Sequence, residues 1–473
     1  MRTDLPSHFL QPSARPMRPA RVAIIGSGIS GLAAAHTLQG LADITLFEAG
    51  GYFGGHTHTV DMTLPDAHGV PRTFGVDTGF LVLNERTYPN LLALFDALEV
   101  PIAKSDMSFS VQVPGAGPGG GDLEWSGSDL ASVFAQRRNL ANPRFLRMLA
   151  DIVRFNRITT RLAERGEDLR PDSPLLQPLG DFLRAHGFSD AFRDWYFLPM
   201  MGCIWSCPTD QMLAFPVATM VRFCHNHGLI QVANRPQWYT VAAGARQYVQ
   251  KIVAQVADKR LATPVLQVLR DEHGVRVVTR DHVERFDAIV MACHSDQSLR
   301  LLGAEATADE HEVLGAIRYQ PNRAVLHTDA SVLPGNPRAW AAWNYERAAS
   351  ADAESTSVCL HYLINRLQPL PVQQPVLVSL NPQREIVPTQ VVGEYAYEHP
   401  VFDMEAIRAQ GRLPTLQGQR HTWFAGAWTG YGFHEDGLKS GLQAARALID
   451  ALRLTPVPAK GEALRAALPG VFA

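Results

Sequence analysis

The stretch that decides the fold is Arg21-Val22-Ala23-Ile24-Ile25-Gly26-Ser27-Gly28-Ile29-Ser30-Gly31. Its apolar first part predicts a buried parallel strand, and the residues after Gly31 predict the helix that crosses back over the sheet. Gly26 allows the tight turn, Gly28 lets a pyrophosphate approach the backbone, and Gly31 lets the helix pack closely on the strand. Since phosphate oxygens would then lie at the positive end of the helix, the stretch predicts a dinucleotide-binding fold.

An acidic residue and a second glycine pair indicate which dinucleotide is bound. A second predicted strand, residues 44–47, ends at Glu48, twenty-two residues after Gly26. Its carboxylate can accept hydrogen bonds from both hydroxyls of a ribose and would repel a 2′-phosphate, which disfavours NADP. Gly54 and Gly55 follow six and seven residues later. Because glycines let the backbone approach the pyrophosphate from this side as well, the pattern favours FAD over NAD.

Here the chain resembles the flavin amine oxidase superfamily, which includes amine oxidases, protoporphyrinogen oxidase and phytoene-type desaturases. Those proteins carry an acidic residue followed by a Gly-Gly-Arg-x-x-Thr pattern. This chain has Gly54-Gly55-His56-Thr57-His58-Thr59, so that His56 stands in place of the usual arginine. The resemblance implies an α/β fold in which a Rossmann-type FAD-binding domain is interleaved with an α+β substrate domain, and it implies FAD as the cofactor.

The C-terminal part resembles the same superfamily. Residues 422–426 predict a last strand that enters a glycine turn, and residues 437–448 predict a helix. In the superfamily the N-terminus of this helix faces the flavin, where free N–H groups stabilise charge on the reduced ring. Residue matching implies these cofactor-binding residues: Gly26, Gly28, Ile29, Ser30, Gly31, Glu48, Ala49, Gly54, Gly55, His56, Thr57, Asp77, Thr78, Gly79, Val265, Gly426, Asp436, Gly437 and Leu438.

We expect both domains to be discontinuous. The predicted FAD-binding domain comprises residues 21–83, 240–300 and 415–455, and the predicted substrate domain comprises residues 84–239 and 301–414. Residues 1–20 are expected to form a disordered lead, and residues 456–473 a C-terminal tail. No apolar segment in that lead resembles a secretory signal.

Composition excludes several functional classes. A formal net charge of −3 and the absence of a Lys/Arg-rich run argue against a nucleic-acid partner. No apolar run is long enough for a transmembrane segment, whereas peripheral membrane contact through a surface helix stays open, although no basic amphipathic stretch stands out. Five cysteines without paired spacing predict reduced thiols and a cytoplasmic location. Cys203 and Cys207 supply only two ligands, so we expect no metal site.

The middle of the chain predicts the substrate side. Residues 195–205 are apolar almost throughout, which fits a packed core between the domains or the wall of an apolar tunnel. Pro199 and Gly202 are expected to break any long helix there. The candidate substrate-contacting residues are Trp205, His227, Trp428, Tyr431 and Phe433.

Segments such as Asn226-His227-Gly228-Leu229 and Trp340-Ala341-Ala342-Trp343-Asn344-Tyr345 resemble a bacterial flavoprotein subgroup of predicted NAD/FAD-binding proteins. Members of that subgroup are often associated with cyclopropane-fatty-acid-synthase-like enzymes. The resemblance implies a lipid acyl substrate and a lipid methyltransferase as a possible partner.

The leading functional hypothesis is an FAD-dependent oxidoreductase that takes hydride from a fatty-acyl substrate, as a desaturase does. The catalytic candidates are His434, which precedes the predicted flavin-facing helix, and Lys439, one turn into it. The chain has one dinucleotide motif, which favours oxygen or another acceptor over a pyridine nucleotide as the oxidant. The alternatives are amine oxidation, double-bond isomerisation without net oxidation, and a non-catalytic flavoprotein partner of a lipid methyltransferase.

Overall fold

The computed structural model describes residues 18–166, 173–205, 208–230, 236–348 and 358–455. Most of the predicted lead and the whole predicted tail therefore lie outside the described residues, as does Cys207. The strands are β1 (Arg21–Ile25), β2 (Asp43–Phe47), β3 (Thr59–Pro65), β4 (Pro71–Asp77), β5 (Leu83–Asn84), β6 (Ile102–Ser105), β7 (Phe109–Val113), β8 (Leu123–Ser126), β9 (Trp238–Val241), β10 (Asp258–Arg260), β11 (Gln267–Asp271), β12 (Gly274–Val278), β13 (Val283–Phe286), β14 (Ala288–Met291), β15 (Arg318–His327), β16 (Trp343–Glu346), β17 (Cys359–Leu363), β18 (Leu377–Leu380), β19 (Val391–Val401) and β20 (Thr422–Phe424).

The α-helices surround these strands and contribute most of the substrate-side layer. They are α1 (Ile29–Leu38), α2 (Pro89–Ala97), α3 (Leu130–Val133), α4 (Pro143–Glu164), α5 (Leu179–Ala185), α6 (Asp190–Phe192), α7 (Leu198–Trp205), α8 (Thr209–Leu213), α9 (Val217–Asn226), α10 (Arg246–Gln255), α11 (Ser295–Leu302), α12 (Ala308–Gly315), α13 (Ile364–Leu367), α14 (Met404–Arg412) and α15 (His434–Leu452). None of the helices among the described residues combines the length and the apolar character needed to cross a membrane.

The first layer is a parallel five-stranded sheet in the order β10-β2-β1-β14-β20. Side chains alternate along β1, so Val22 and Ile24 join the core under helices α1, α10 and α15. Ala23 and Ile25 face the other way and join a core covered by the antiparallel strands β11, β12 and β13. Both faces of the sheet are therefore covered, which is the arrangement that a nearly continuous apolar strand requires.

Helices α1 and α15 cross at very short range at the glycines. A Cβ on Gly441 of α15 would lie 2.1 Å from the carbonyl oxygen of Ser30 in α1. A Cβ on Gly31 would lie 1.9 Å from the carbonyl oxygen of Gly26, so this second glycine lets α1 pack against the turn after β1. No larger residue fits at either place. The approach brings the N-terminal ends of two helices, one from each end of the chain, to the carboxyl edge of the sheet.

The second layer is a mixed seven-stranded sheet in the order β19-β15-β18-β17-β16-β7-β8. Helices α4 to α9 pack on it in one large apolar core that includes Phe145, Phe155 and Phe197. The expectation that Pro199 and Gly202 break the helix is wrong, because a π-helical turn at Arg193–Phe197 leads directly into α7. Pro199 lies near the start of α7, and a Cβ on Gly202 would lie 3.2 Å from the side chain of Val358, so the glycine permits close packing.

Candidate active site

A cavity of about 420 Å³ lies where the two layers meet. One end is lined by the turn after β1, and the other by side chains of the seven-stranded sheet. The two ends differ in chemistry, and we call them the glycine half and the apolar half. The glycine half includes Gly26, Gly28 and Gly55, whereas the apolar half includes Ile204 and Leu380.

The turn of the glycine half has the geometry that the motif predicts. Gly26 has a φ of +101°, and a Cβ there would lie 2.7 Å from the carbonyl oxygen of Ala292. A Cβ on Gly28 would meet no atom within 4 Å, so this backbone faces open space directly before α1 begins at Ile29. The free N–H groups at the start of α1 therefore face an open part of the cavity. Such a helix start can bind the diphosphate of FAD.

Glu48 is held beside this turn by hydrogen bonds that fix its carboxylate. The backbone N–H of Ser27 donates to Oε2 at 3.0 Å, and that of Gly50 donates to Oε1 at 2.7 Å. Gly54 N–H donates to Ser27 Oγ at 3.1 Å, so the second glycine segment is tied to the same serine. A Cβ on Gly55 would lie 3.1 Å from Gly28 Cα. These residues therefore fit FAD, with two glycine backbones and one fixed carboxylate around one cradle.

The structure places the predicted cofactor-binding residues in two groups. The residues that line the cavity are Gly26, Gly28, Ile29, Ser30, Glu48, Gly55, His56, Thr78, Gly79 and Gly426. The residues outside this lining are Gly31, Ala49, Gly54, Thr57, Asp77, Val265, Asp436, Gly437 and Leu438, of which Ala49 is exposed. A sequence motif matches both groups alike, because it does not show which residues contact the cavity and which hold those residues in place.

Asp77 illustrates this support. Its carboxylate accepts hydrogen bonds from Ala245 N at 2.9 Å and from Gln368 Nε2 at 2.9 Å. Burial raises the pKa of Asp77 to about 6. The side chain ties the glycine half to α10 and α13, and it does not face the cavity.

Asp436 supports the opposite wall. Its Oδ2 accepts hydrogen bonds from the backbone N–H of Tyr431 at 3.0 Å and of Phe433 at 3.1 Å. The loop that carries these two rings is thereby fixed at the start of α15. Burial raises the pKa of this carboxyl to about 6.

His434 lines the cavity, and Lys439 does not. His434 Nε2 lies 2.7 Å from the hydroxyl of Tyr248, and its ring stacks on Phe80 at 3.9 Å. Burial lowers the pKa of His434 to about 3, so the ring is neutral at physiological pH and is a poor proton acceptor. Lys439 is exposed on the outer side of α15, which argues against a catalytic role.

Three histidines line one wall of the cavity, and only His56 among them was predicted from the sequence. His56, His294 and His399 line the cavity, with ring centroids 6.4 Å apart for His56 and His294 and 5.4 Å apart for His56 and His399. Burial lowers all three pKa values, that of His399 to about 4, and mutual repulsion adds to the effect at His56. No local motif marks His294, which caps the start of α11, or His399, which lies in β19.

All five candidate substrate-contacting residues line the cavity: Trp205, His227, Trp428, Tyr431 and Phe433. Trp205 Nε1 donates to the carbonyl oxygen of Tyr431 at 3.3 Å, which joins α7 to the loop before α15. The ring of Phe223 stacks on His227 at 3.9 Å and on Phe433 at 4.8 Å. Burial lowers the pKa of His227 to about 4, so this wall carries no charge at neutral pH.

The seven-stranded sheet contributes lining residues that were not predicted from the sequence, among them Trp343, Tyr362, Val378 and Leu380. Trp343 pairs with Tyr362, and Tyr362 pairs with Val378, so these side chains share one face of the sheet. In the sequence these residues are marked only by the alternation of side chains within short strands. That alternation does not show what the buried face of the sheet packs against.

The opposite face of that sheet holds a group of potential metal ligands. Atoms of Glu346, Cys359 and His361 lie within 4.8 Å of one another. Glu346 also pairs with Arg384 at 3.0 Å, and His361 Nδ1 lies 2.6 Å from Ser379 Oγ. Closed structural zinc sites have four ligands, and this group has three whose hydrogen bonds are already satisfied. We interpret it as a buried polar network that joins β16, β17 and β18.

Comparison with known proteins agrees with this geometry. The sequence profile of the family described as flavin containing amine oxidoreductase matches residues 29–327. No curated protein is detectably similar to the chain in sequence.

Three solved structures share the fold at low sequence identity. Cyclohexylamine oxidase from Brevibacterium oxydans is 16% identical with a TM-score of 0.66, covering 92% of this chain and 100% of that one. Putrescine oxidase bound to putrescine is 14% identical with a TM-score of 0.63, covering 91% and 99%. The CLA-producing fatty acid isomerase from P. acnes is 17% identical with a TM-score of 0.61, covering 90% and 98%. The match therefore extends over both layers.

Proposed function

Since the chain belongs to the flavin containing amine oxidoreductase family and is an FAD-dependent oxidoreductase, we propose that it takes hydride from an apolar, fatty-acyl substrate held in the apolar half. FAD, when bound in the glycine half, supplies the two-electron acceptor. The task of the protein is then to hold the acyl chain against it and to exclude water. Desaturation also releases one proton with each hydride, and His294, whose Nδ1 lies 3.5 Å from the carboxylate of the exposed Glu398, is the lining group that can pass this proton to the rim.

The observation that carries this proposal is the lack of charge in the apolar half. Among the described lining residues the acidic side chains are Glu48, which is bonded to Ser27, and Glu398, which is exposed at the rim. No lysine, arginine or aspartate of the described chain lines the cavity. A protonated amine would lose its hydration there without gaining an anionic partner, whereas an acyl chain would not.

The arrangement of the rings supports the same choice. Stacking in this region joins Phe223 to Phe433 and to His227, so the rings pack on one another within a single wall. An amine oxidase is expected to show two parallel aromatic rings facing each other across the substrate. Among the described lining rings, the widest-spaced near-parallel pair is His227 and Trp238, whose centroids lie 6.4 Å apart at an interplanar angle of 19°, and one of its two rings is an imidazole.

We assign His434 a positioning role. Its neutral ring joins Tyr248 to the wall through the 2.7 Å contact, and the stack on Phe80 fixes its orientation. Tyr248 in turn lies 2.5 Å from Thr57 Oγ1, so this set links α10, α15 and the segment after Gly55. Movement of His434 would therefore shift the loop that carries Phe433 and Tyr431.

The test is anaerobic titration of the purified yellow protein with substrates matched in chain length. We expect dodecanoyl esters or phospholipids to bleach the flavin band and dodecylamine to leave it unchanged. Bleaching by the amine alone would overturn the acyl assignment in favour of amine oxidation. A product with a displaced double bond, formed without net bleaching or peroxide, would instead establish an isomerase, the activity named for the structurally similar P. acnes protein.

A flavin that no substrate reduces would favour the non-catalytic alternative. In that case we expect a stable complex with a lipid methyltransferase, which co-purification would detect. The relation to the bacterial subgroup and the cytoplasmic location remain predictions from the sequence. Cell fractionation tests the second of these.

A further inference from the structure

Helices α3 and α4 and the chain between them carry an unusual concentration of exposed apolar side chains. Leu130 is 79% exposed, Leu140 56%, Leu146 44% and Val153 53%. These are four of the eleven exposed large apolar side chains in the described part of the chain, and all four fall within residues 130–153. Because single exposed leucines are ordinary and a cluster is not, the segment indicates a surface that binds something.

Helix geometry places the exposed residues of α4 on one face. Leu146 and Val153 are seven residues apart, and Arg157 and Arg161 follow at intervals of four, so the four side chains lie along one stripe. The opposite face buries Phe145, Met148 and Phe155 in the core of the substrate layer. Α ring-edge contact of Phe134 with Phe145, at 6.0 Å between centroids, holds the end of α3 beside the start of α4.

The same segment is strongly basic. Residues 137–165 contain eight arginines, no lysine and two acidic residues, Asp151 and Glu164, in a chain whose formal net charge is −3. Asp151 is buried and already paired with Arg147 and Arg154. Arg157 and Arg161 form no salt bridge with a described acidic residue, and Glu164, exposed at the end of α4, is an acidic side chain on the same stripe. This basic stretch does not stand out in the sequence because its arginines are interspersed with the apolar residues of both helix faces.

We propose that this arginine–leucine surface, formed by Leu130, Leu140, Leu146, Val153, Arg157 and Arg161, binds the surface of an anionic lipid bilayer. Arginines beside exposed leucines match anionic headgroups beside acyl chains, and each basic residue near such a surface adds to the attraction. A second copy of the chain would bring like charges face to face, which disfavours a dimer through this surface. A nucleic acid would leave the exposed leucines in water.

The surface is separate from the cavity but belongs to the same layer. Helix α4 packs against α9, which presents Phe223 to the apolar half. The proposal does not rest on the acyl substrate, because vesicle binding and flavin reduction are measured independently. If both hold, the bilayer is the source of the substrate.

The experiment is flotation of the full-length holoenzyme with vesicles of phosphatidylglycerol and phosphatidylcholine, or of phosphatidylcholine alone. We expect binding to the anionic vesicles only, with a loss of at least tenfold in apparent affinity in 0.5 M salt, in line with a screening length of roughly 3–10 Å over this range. The double variant Arg157→Glu/Arg161→Glu should weaken binding at least tenfold, since each arginine near the surface accounts for about a fivefold change. Leu146→Ser/Val153→Ser should weaken binding in both low and high salt.

The matched control is Arg276→Glu/Arg280→Glu, which makes the same charge change at exposed positions of the other layer. This control should bind as the unaltered protein does, and all variants should keep the flavin spectrum. Absence of binding to anionic vesicles would overturn the proposal, as would equal weakening by the control pair. A concentration-dependent dimer that Leu146→Ser/Val153→Ser dissolves, without vesicle binding, would overturn it in favour of an interface between copies.

Discussion

The glycine half and the apolar half of the cavity differ in how the chain builds them. The glycine half is built from a few short segments, and the order and spacing of their residues determine its geometry. Gly26 and Gly28 contribute backbone, and Glu48 contributes one carboxylate. The apolar half takes single side chains from α7, α9 and several strands, with Ile204 and Leu380 more than 170 residues apart in the chain. A cofactor site of this kind depends on the identity of single residues, whereas a substrate wall accepts many residues of suitable size and polarity.

The largest effect is expected where a side chain is added to the glycine half. Gly28→Glu would place a carboxylate in the open space where the FAD diphosphate lies, at a φ that any residue adopts. We expect the protein to fold and its affinity for FAD to fall at least a hundredfold, or about 3 kcal/mol. The added carboxylate would repel the diphosphate and keep it from approaching the backbone. Quenching of flavin fluorescence on binding to the apoprotein measures this. Gly411→Glu, on α14 with no atom within 4 Å of the added Cβ, should bind FAD normally.

A smaller loss tests the carboxylate of the same half. Glu48→Gln keeps the shape but removes the charge that accepts ribose hydroxyls, and hydrogen bonds to charged groups contribute about 1.5–3 kcal/mol. We therefore expect FAD to bind at least tenfold more weakly in the same assay. Glu272→Gln, at an exposed turn, is the control. Unchanged affinity would remove Glu48 from the cofactor site.

The apolar half should respond through the substrate alone. Leu229 lines the cavity, and Leu229→Asn would bury an amide without a partner beside the acyl chain, at a cost of about 1–3 kcal/mol. The kcat/KM for the acyl substrate should fall about tenfold while FAD affinity stays the same. Leu261→Asn, on an exposed leucine outside the cavity, should change neither. A loss of FAD binding in Leu229→Asn would contradict the division of the cavity into two halves.

The smallest effect is expected at His434. Because its pKa is lowered to about 3, the ring stays neutral as the pH falls from 9 to 5.5 and contributes no titration to flavin reduction. An inflection near pH 6 would come from Asp77 or Asp436, whose raised pKa values of about 6 mean that they gain protons as the pH falls below that value. Stopped-flow profiles of the unaltered protein and His434→Gln should therefore have the same shape and differ less than about threefold in rate.

The opposite result at His434 would be equally informative. A tenfold slower flavin reduction in His434→Gln, together with loss of an inflection near pH 6.5, would restore His434 as the catalytic base. In that case the neutral, hydrogen-bonded ring seen beside Tyr248 would have to release its contact during the reaction.

The sequence predicts the glycine half well because its chemistry depends on neighbours in the chain. The turn at Gly26 and the fixed carboxylate of Glu48 lie where their motifs place them, whereas the last helix begins at His434, three residues before its predicted start, and so includes His434. Sequence matching does not separate lining residues from supporting ones, since Asp77 and Asp436 bond to backbone amides behind the wall.

The apolar half is only partly predictable, for a physical reason. Aromatic residues near a motif, such as Tyr431 and Phe433, could be assigned because the motif fixes their place. Trp343 and Val378 could not be assigned to the cavity from the sequence. The alternation of apolar and polar residues in a strand shows that one face is buried, but not what that face packs against. The register of the seven-stranded sheet, which brings these residues together, depends on contacts between distant segments.

The central claim is that one cavity holds FAD at its glycine half and an acyl chain at its apolar half. Anaerobic stopped-flow reduction of the flavin by an acyl substrate, unlabelled and deuterated along its chain, tests this most directly. We predict bleaching that is slowed at least about twofold by deuterium, because a C–H bond breaks as hydride leaves. A flavin that amines reduce and acyl substrates do not would contradict the account.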